Sequence, residues 1–261
     1  MNRFQDIYRR YRRSVVMLSG LTASGDPSAA TAFHIGDGIF VTARHVADEL
    51  HNRLLHVSGG GVSPYHQVSF TEPDIDVALL LCDVGLLSPE YRQVFIPLPP
   101  ALNDLIDESQ ALERVLVMGY PRIPMTANAH IVAATGEIIS VVWTMSDQHG
   151  PSFVISHLPR GGLSGAPVFD GSGELIGVVV DSLGLAGVPY ELGYTAATTV
   201  EPILRLLAGA NLLPPGLTEE DWDLFTSAVF PMGIPEPIVV PAPPARAPDG
   251  EDPAIGKTAD G

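Results

Sequence analysis

The sequence predicts an all-β fold: two tandem six-stranded β-barrels with a short N-terminal helix and a C-terminal helix. Short apolar runs recur along residues 14–210, each bounded by Gly, Asp, Pro or Ser. They fall into two groups of about six, split near residues 101–112 (ALNDLIDESQAL), which is the grouping expected of two small barrels in one chain. Gly (26) and Pro (24) are both abundant, as many short strands joined by turns require.

Residues 1–13 read as a basic amphipathic helix. Phe4, Ile7, Tyr8 and Tyr11 share one face, and arginines surround it. That apolar stripe is expected to lie on the domain; the sharper alternative is a docking element for an acidic partner or for the chain's own acidic tail. Arginines followed by a short apolar run also mimic a secretory signal, but no small-residue cleavage site is clear and Val15 to Leu18 read as the first strand. The first group of strand-like runs is SVVMLSGL, TAFHI, GIFVTARHV, LLHVSG, HQVSF and DVALLLC. The second is RVLVMGY, IVAATGEIISVVW, SFVISHL, APVFD, ELIGVVVDS and LGYTAA. VEPILRLLAG then reads as a helix stopped by Gly209 and by Pro214-Pro215. Within 211–230, Thr218-Glu-Glu-Asp221 resembles a capping box, and Trp222, Phe225 and Val229 share a helical face. Residues 231–261 are rich in Pro, Ala, Gly and Asp and are expected to form a disordered, acidic tail.

Composition narrows the function classes. With 46% hydrophobic and 17% charged residues over 261, a sizeable core can be buried. The net charge is −16 and Lys257 is the only lysine, which argues against nucleic acid or an anionic membrane as partner. No apolar stretch approaches membrane-spanning length. Cys82 is the only cysteine, so no intrachain disulfide forms, and a bacterial cytoplasmic location is expected. The histidines other than His45 show no metal-ligand spacing, and no cofactor is implied. Cys82 sits in an apolar run and reads as core rather than nucleophile.

Three segments carry chemistry: Phe40-Val-Thr-Ala-Arg-His45-Val46, Asp74-Ile-Asp76-Val-Ala-Leu-Leu80 and Arg160-Gly-Gly-Leu-Ser164-Gly-Ala-Pro-Val-Phe169. A serine hydroxyl needs an adjacent base, and the imidazole of His45 suits that role near neutral pH. A buried carboxylate fixes the imidazole tautomer and stabilises the imidazolium that forms. Asp76 is preferred to Asp74 because it alone immediately precedes Val-Ala-Leu-Leu. Glycines around Ser164 let backbone N–H groups converge on one spot, with Gly162 and Ser164 as the pair for an oxyanion.

Together the three segments resemble the chymotrypsin-like (trypsin-like) serine peptidases, most of all the cysteine-poor bacterial branch that includes the HtrA-type proteases. The order His45, Asp76, Ser164 matches, and spacings of 31 and 88 residues place the first two in the first barrel and the serine in the second. Val115-Leu-Val-Met-Gly-Tyr-Pro121, Thr135 to Ser140, Leu175 to Val180 and Gly193-Tyr-Thr195 are similar to further strands of the family. The resemblance covers about residues 14–207 and implies catalysis by His45, Asp76 and Ser164. There are departures. Leu163 stands where digestive relatives have an aspartate, so activation by N-terminal clipping is not expected. Val180 stands where a serine often supports the triad aspartate, and Ala166 replaces a common glycine. Too few residues follow the closing helix for the PDZ domain of HtrA-type proteins.

The implied activity is endopeptidase cleavage of a protein or peptide substrate through an acyl-enzyme. By register from Ser164, Leu158 lies near the base of the primary pocket. The absence of an acidic residue there predicts a preference for an apolar or small side chain. Val180, Asp181 and Ser182 are expected to pair with substrate as an added strand, with Asp181 favouring a basic residue further along it. The alternative is a dormant or pseudoprotease module that acts by binding or is activated by a partner. An α/β-hydrolase esterase is excluded by residue order and by Pro167 with the strands that follow Ser164.

Overall fold

A computed structural model of the chain describes residues 3–71, 75–99, 110–126, 128–143, 151–156, 161–183, 194–213, 218–220, 222–223, 226 and 238–241. Helix α1 (Arg3–Tyr11) leads into β1 (Val15–Leu21), β2 (Pro27–Gly36) and β3 (Ile39–Thr42). A short helix α2 (Arg44–Glu49) follows, then β4 (His51–Val57), β5 (Gly60–Val62), β6 (His66–Ser69) and β7 (Ala78–Leu81). Beyond α3 (Pro89–Arg92) come β8 (Arg114–Gly119), β9 (Val132–Trp143), β10 (Pro151–Ile155), β11 (Pro167–Phe169), β12 (Leu175–Leu183) and β13 (Tyr194–Thr199). Helix α4 (Glu201–Gly209) and strand β14 (Ile238–Pro241) complete the order.

The second unit is a closed six-stranded barrel in the order β10-β13-β12-β11-β8-β9. The first differs from the six-stranded barrel expected of it. It is an open eight-stranded sheet, β14-β6-β7-β3-β2-β1-β4-β5, a half-barrel rather than a closed one. No backbone ladder closes the sheet, whose edges are β14 and β5, and side chains bridge β4 to β6 across this seam. Arg53 on β4 is almost fully buried and donates to the Ala47 carbonyl at 2.6 Å and to Gln67 Oε1 on β6. Gln67 in turn donates to Asp48 Oδ1 at 2.7 Å. A buried guanidinium is costly unless its donors are satisfied, and this network satisfies them in part through neighbouring backbone.

β14 is the second difference. The tail was expected to be disordered throughout 231–261, yet Ile238–Pro241 pairs antiparallel with β6, Val239 opposite Val68. Four residues with β-favouring Ile-Val-Val suffice because the β6 edge offers unpaired backbone groups. The split expected at 101–112 falls largely outside the described residues, as do Phe225 and Val229. Glu219, Glu220, Trp222, Asp223 and Thr226 are helical, and Trp222 N–H donates to the Thr218 carbonyl at 3.0 Å.

Two faces of the first sheet are buried, which explains why its strands read as nearly continuous apolar runs. Val16, Leu18, Phe40, Leu55 and Leu80 fill the hollow of the half-barrel with Cys82 and Tyr91. Alternate residues Val15, Phe33, Val41 and Leu79 turn to the other side and join the core of the second barrel, with α4 and Trp222. Helix α1 lays its apolar stripe on the second barrel: Ile7 and Tyr11 are buried, and the Tyr11 ring stacks on Phe169 at 5.1 Å. Among the described residues no helix is long and apolar enough to cross a membrane.

Candidate active site

His45 occupies the first turn of α2, directly after β3. The residue preceding this helix, Ala43, has no side chain able to cap it, and no side-chain cap is made there. Asp76, in the segment just before β7, takes that role from across the sheet. Its carbonyl accepts from Arg44 N–H at 3.3 Å, and its Oδ1 accepts from His45 N–H at 2.7 Å. Its Oδ2 lies 2.6 Å from His45 Nδ1. One carboxylate therefore holds both the backbone and the ring of the histidine. The pairing of β3 with β7, Thr42 opposite Ala78, is what brings the two residues together.

An ionised carboxylate only accepts hydrogen bonds, so Nδ1 must carry the ring proton. In the neutral ring Nε2 then carries the lone pair. The His45 side chain is about half exposed and Asp76 about a quarter exposed, so the pair faces the surface rather than the core.

Ser164 sits in the turn between Gly161 and β11. Its carbonyl accepts from Thr31 N–H at 3.1 Å, and Gly165 N–H donates to Val179 O at 2.7 Å. These bonds fix the turn to β2 of the first sheet and to β12 of the barrel at once. Gly165 has φ +83°, and a side chain there would collide with the Thr31 carbonyl and stand 3.0 Å from Ala43 N. The Ser164 turn is thus set against the end of β3, two residues before His45. Gly162 has φ +99°, and a Cβ on it would lie 3.0 Å from Pro121 Cα. Both positions require glycine. Among the described backbone hydrogen bonds, neither Gly162 N–H nor Ser164 N–H is a donor.

The remaining sequence-derived site residues divide. Leu158 and the competing Asp74 lie outside the described residues. Val180 sits at a register shift between Val179 and Asp181, where β12 pairs with β13. β11 accompanies β12 only as far as Val178, and Val179 N–H then donates to Ala166 O at 2.8 Å. Beyond that point the opposite edge of β12, through Asp181 and Ser182, has no strand partner among the described residues. Val180 itself is partly buried against the central core. Cys82 is buried, which pushes its thiol up to about 12, far from a reactive range.

Sequence reading missed Thr31 and Tyr120, which brace the Ser164 turn. Thr31 Oγ1 donates to Gly162 O at 2.7 Å and accepts from Tyr120 N–H at 2.9 Å. The available signal was a threonine opening the strand-like run TAFHI, at a position that proves fully buried.

Comparison with known proteins follows this geometry. In fold the chain is similar to the HtrA-type protease AlgW solved with a tripeptide, at TM-score 0.60 and 18% identity, covering 79% of this chain and 62% of AlgW. The chain thus spans less than two thirds of that protein. It is also similar to the Rv3671c protease of M. tuberculosis in its active form, at TM-score 0.59 and 20% identity, covering 82% and 85% of the two chains. A serine endoprotease from Yersinia pestis matches at TM-score 0.57 and 17% identity over 78% and 65%. No curated protein gives a significant match. These likenesses establish the chymotrypsin-like fold. The family model described as the trypsin-like peptidase domain matches residues 30–178, more than half of the chain. The chain belongs to the trypsin-like peptidase domain family.

Proposed function

We propose that the chain is a serine endopeptidase that cleaves peptide bonds through an acyl-enzyme on Ser164. The observation that carries this reading is the double hold of Asp76 on the amide and the Nδ1 of His45. That hold presents Nε2 as a base of fixed direction.

In the first step His45 Nε2 takes the Ser164 hydroxyl proton as Oγ bonds to the scissile carbonyl carbon. The carbonyl π-electrons move to oxygen, and the Gly162 and Ser164 N–H groups stabilise the resulting oxyanion. The C–N bond then breaks, the amine leaves with the proton from His45, and the acyl group stays on Ser164. Water repeats the sequence and releases the acid. Asp76 remains ionised throughout and stabilises the imidazolium.

Substrate enters as a strand on the open edge of β12 at Val180 to Ser182. The side chain before the scissile bond is apolar or small, with Leu158 at the pocket base, and Asp181 favours a basic residue further along. AlgW was solved with a tripeptide, which supports a peptide as the substrate class.

The test is a fluorophosphonate probe on the purified protein and on Ser164→Ala, read by intact mass. Labelling of the wild type alone supports the reading. If neither labels, a dormant or binding module takes its place.

A further inference from the structure

Thr31 lies on β2, outside the three segments that carry the chemistry, and is fully buried. Each of its polar groups is engaged at the nucleophile turn or at what supports it. Its N–H donates to Ser164 O at 3.1 Å. Its hydroxyl donates to Gly162 O at 2.7 Å and accepts from Tyr120 N–H at 2.9 Å. Its carbonyl accepts from the Thr42 hydroxyl at 2.8 Å, and Thr42 ends the strand that leads into His45. Two glycines make room for it. A Cβ on Gly119 would stand 2.7 Å from Thr31 Oγ1, and one on Gly165 would strike the Thr31 carbonyl.

The direction of the hydroxyl bond is not free. Thr31 Oγ1 has one proton, and the Tyr120 amide already approaches it as donor, so the proton goes to the Gly162 carbonyl. Peptide units are planar. Holding Gly162 O fixes the plane that joins Gly162 to Leu163. Holding Ser164 O fixes the plane that joins Ser164 to Gly165. The Gly162 and Ser164 amides each adjoin a plane pinned by Thr31, while their own planes are held from the other side by Arg122 N–H on Gly161 O at 3.1 Å and Ala166 N–H on Leu163 O at 2.8 Å.

We infer that Thr31 is a positioning residue that aims the Gly162 and Ser164 amides and ties their direction to the sheet carrying His45 and Asp76. This rests on the reading of those two amides as the oxyanion donors. Thr31 touches no reacting atom; it acts through the turn.

The test compares Thr31→Val, which keeps the shape and loses the hydroxyl, with Thr31→Ser, which keeps the hydroxyl. Each is assayed for kcat and KM on a fluorogenic peptide, for affinity toward a peptide boronate and for thermal midpoint. Removing an oxyanion donor outright costs about 10²–10³ in kcat, so misaiming the pair is expected to cost about 10- to 100-fold. That loss falls on kcat and on boronate affinity, with KM nearly unchanged, and Thr31→Ser recovers most of it. Unchanged kcat in Thr31→Val overturns the inference. So does a loss confined to KM, or a Ser variant as impaired as the Val variant. If Thr31→Val does not fold, Thr31→Ala serves in the same comparison. If the wild type hydrolyses nothing and does not label, the endopeptidase reading fails on its own. A crystal structure of Thr31→Val then still decides the tie. A Gly162 carbonyl turned from its original direction supports it, and one left in place overturns it.

Discussion

The two β units hold their proposed catalytic groups by different means. The barrel closes on itself through backbone ladders, and its Ser164 turn is fastened by main-chain bonds at Val179 and Thr31 and by glycines that admit no side chain. The first unit stays open and is joined across its seam by Arg53, Gln67 and Asp48 side chains. His45 is likewise held by a side chain, the Asp76 carboxylate. A backbone ladder survives most single substitutions, because every residue brings the same N–H and C=O. A side-chain clasp does not. The Ser164 side should therefore tolerate substitution outside its glycines and Thr31, while the His45 side depends on a few identities.

The sharpest test of this contrast is Asp76→Asn. The amide keeps an oxygen for His45 N–H but can present N–H groups to Nδ1, which favours the wrong tautomer. A drop in kcat of about 10⁴-fold is expected, the size serine-protease triads show for this change, with KM little altered. A loss below about tenfold would mean that the carboxylate does not set the tautomer.

Arg53→Leu comes next in size. It strands Gln67 Oε1 and the Ala47 carbonyl without their donor, at a cost of about 2 kcal/mol. Hydrogen exchange should quicken in β4, β6 and β7 and stay slow in the barrel. Equal loosening of both units would erase the distinction between them.

The smallest effect is a pH dependence carried by His34 on β2. Its ring is buried between Phe40 and Tyr91, with Nδ1 2.8 Å from Val94 O and Nε2 accepting from Gly38 N–H. Burial is the main reason its pKa is lowered from 6.5. The unfolded chain thus binds a proton below about pH 6.5 that the native state refuses. Stability is complete above that pH and declines as pH falls, by at most about 1.4 kcal/mol per pH unit. Urea midpoints at pH 7.5 and 5.5 should diverge more for the wild type than for His34→Asn. Equal divergence removes His34 as the cause.

Much of this was legible in the sequence because its signals are local. TARHV, DIDVALL and RGGLSGAP each carry their meaning within ten residues, and the apolar runs marked the strands. What escaped depends on distant partners. Closure of the first sheet turns on whether β4 meets β6, and nothing in LLHV or HQVS records that register. The strand at Ile238–Pro241 was hidden inside a Pro-rich stretch whose composition argued for disorder, and only the free edge of β6 gives it a partner. Thr31 looked like one more strand residue, since its role comes from Gly162 and Tyr120, which approach from the other unit.

The pairing of Val68 with Val239 has a consequence for how the molecule is made. Roughly 170 residues separate the two strands, so the contact closes a very long loop and forms late. During synthesis the ribosome delivers β6 well before β14. Throughout that interval the β6 edge is bare, and the sheet bearing His45 and Asp76 is unfinished. Translation itself thus sets the order of events: the nascent chain completes its barrel first and seals the edge of its first sheet last.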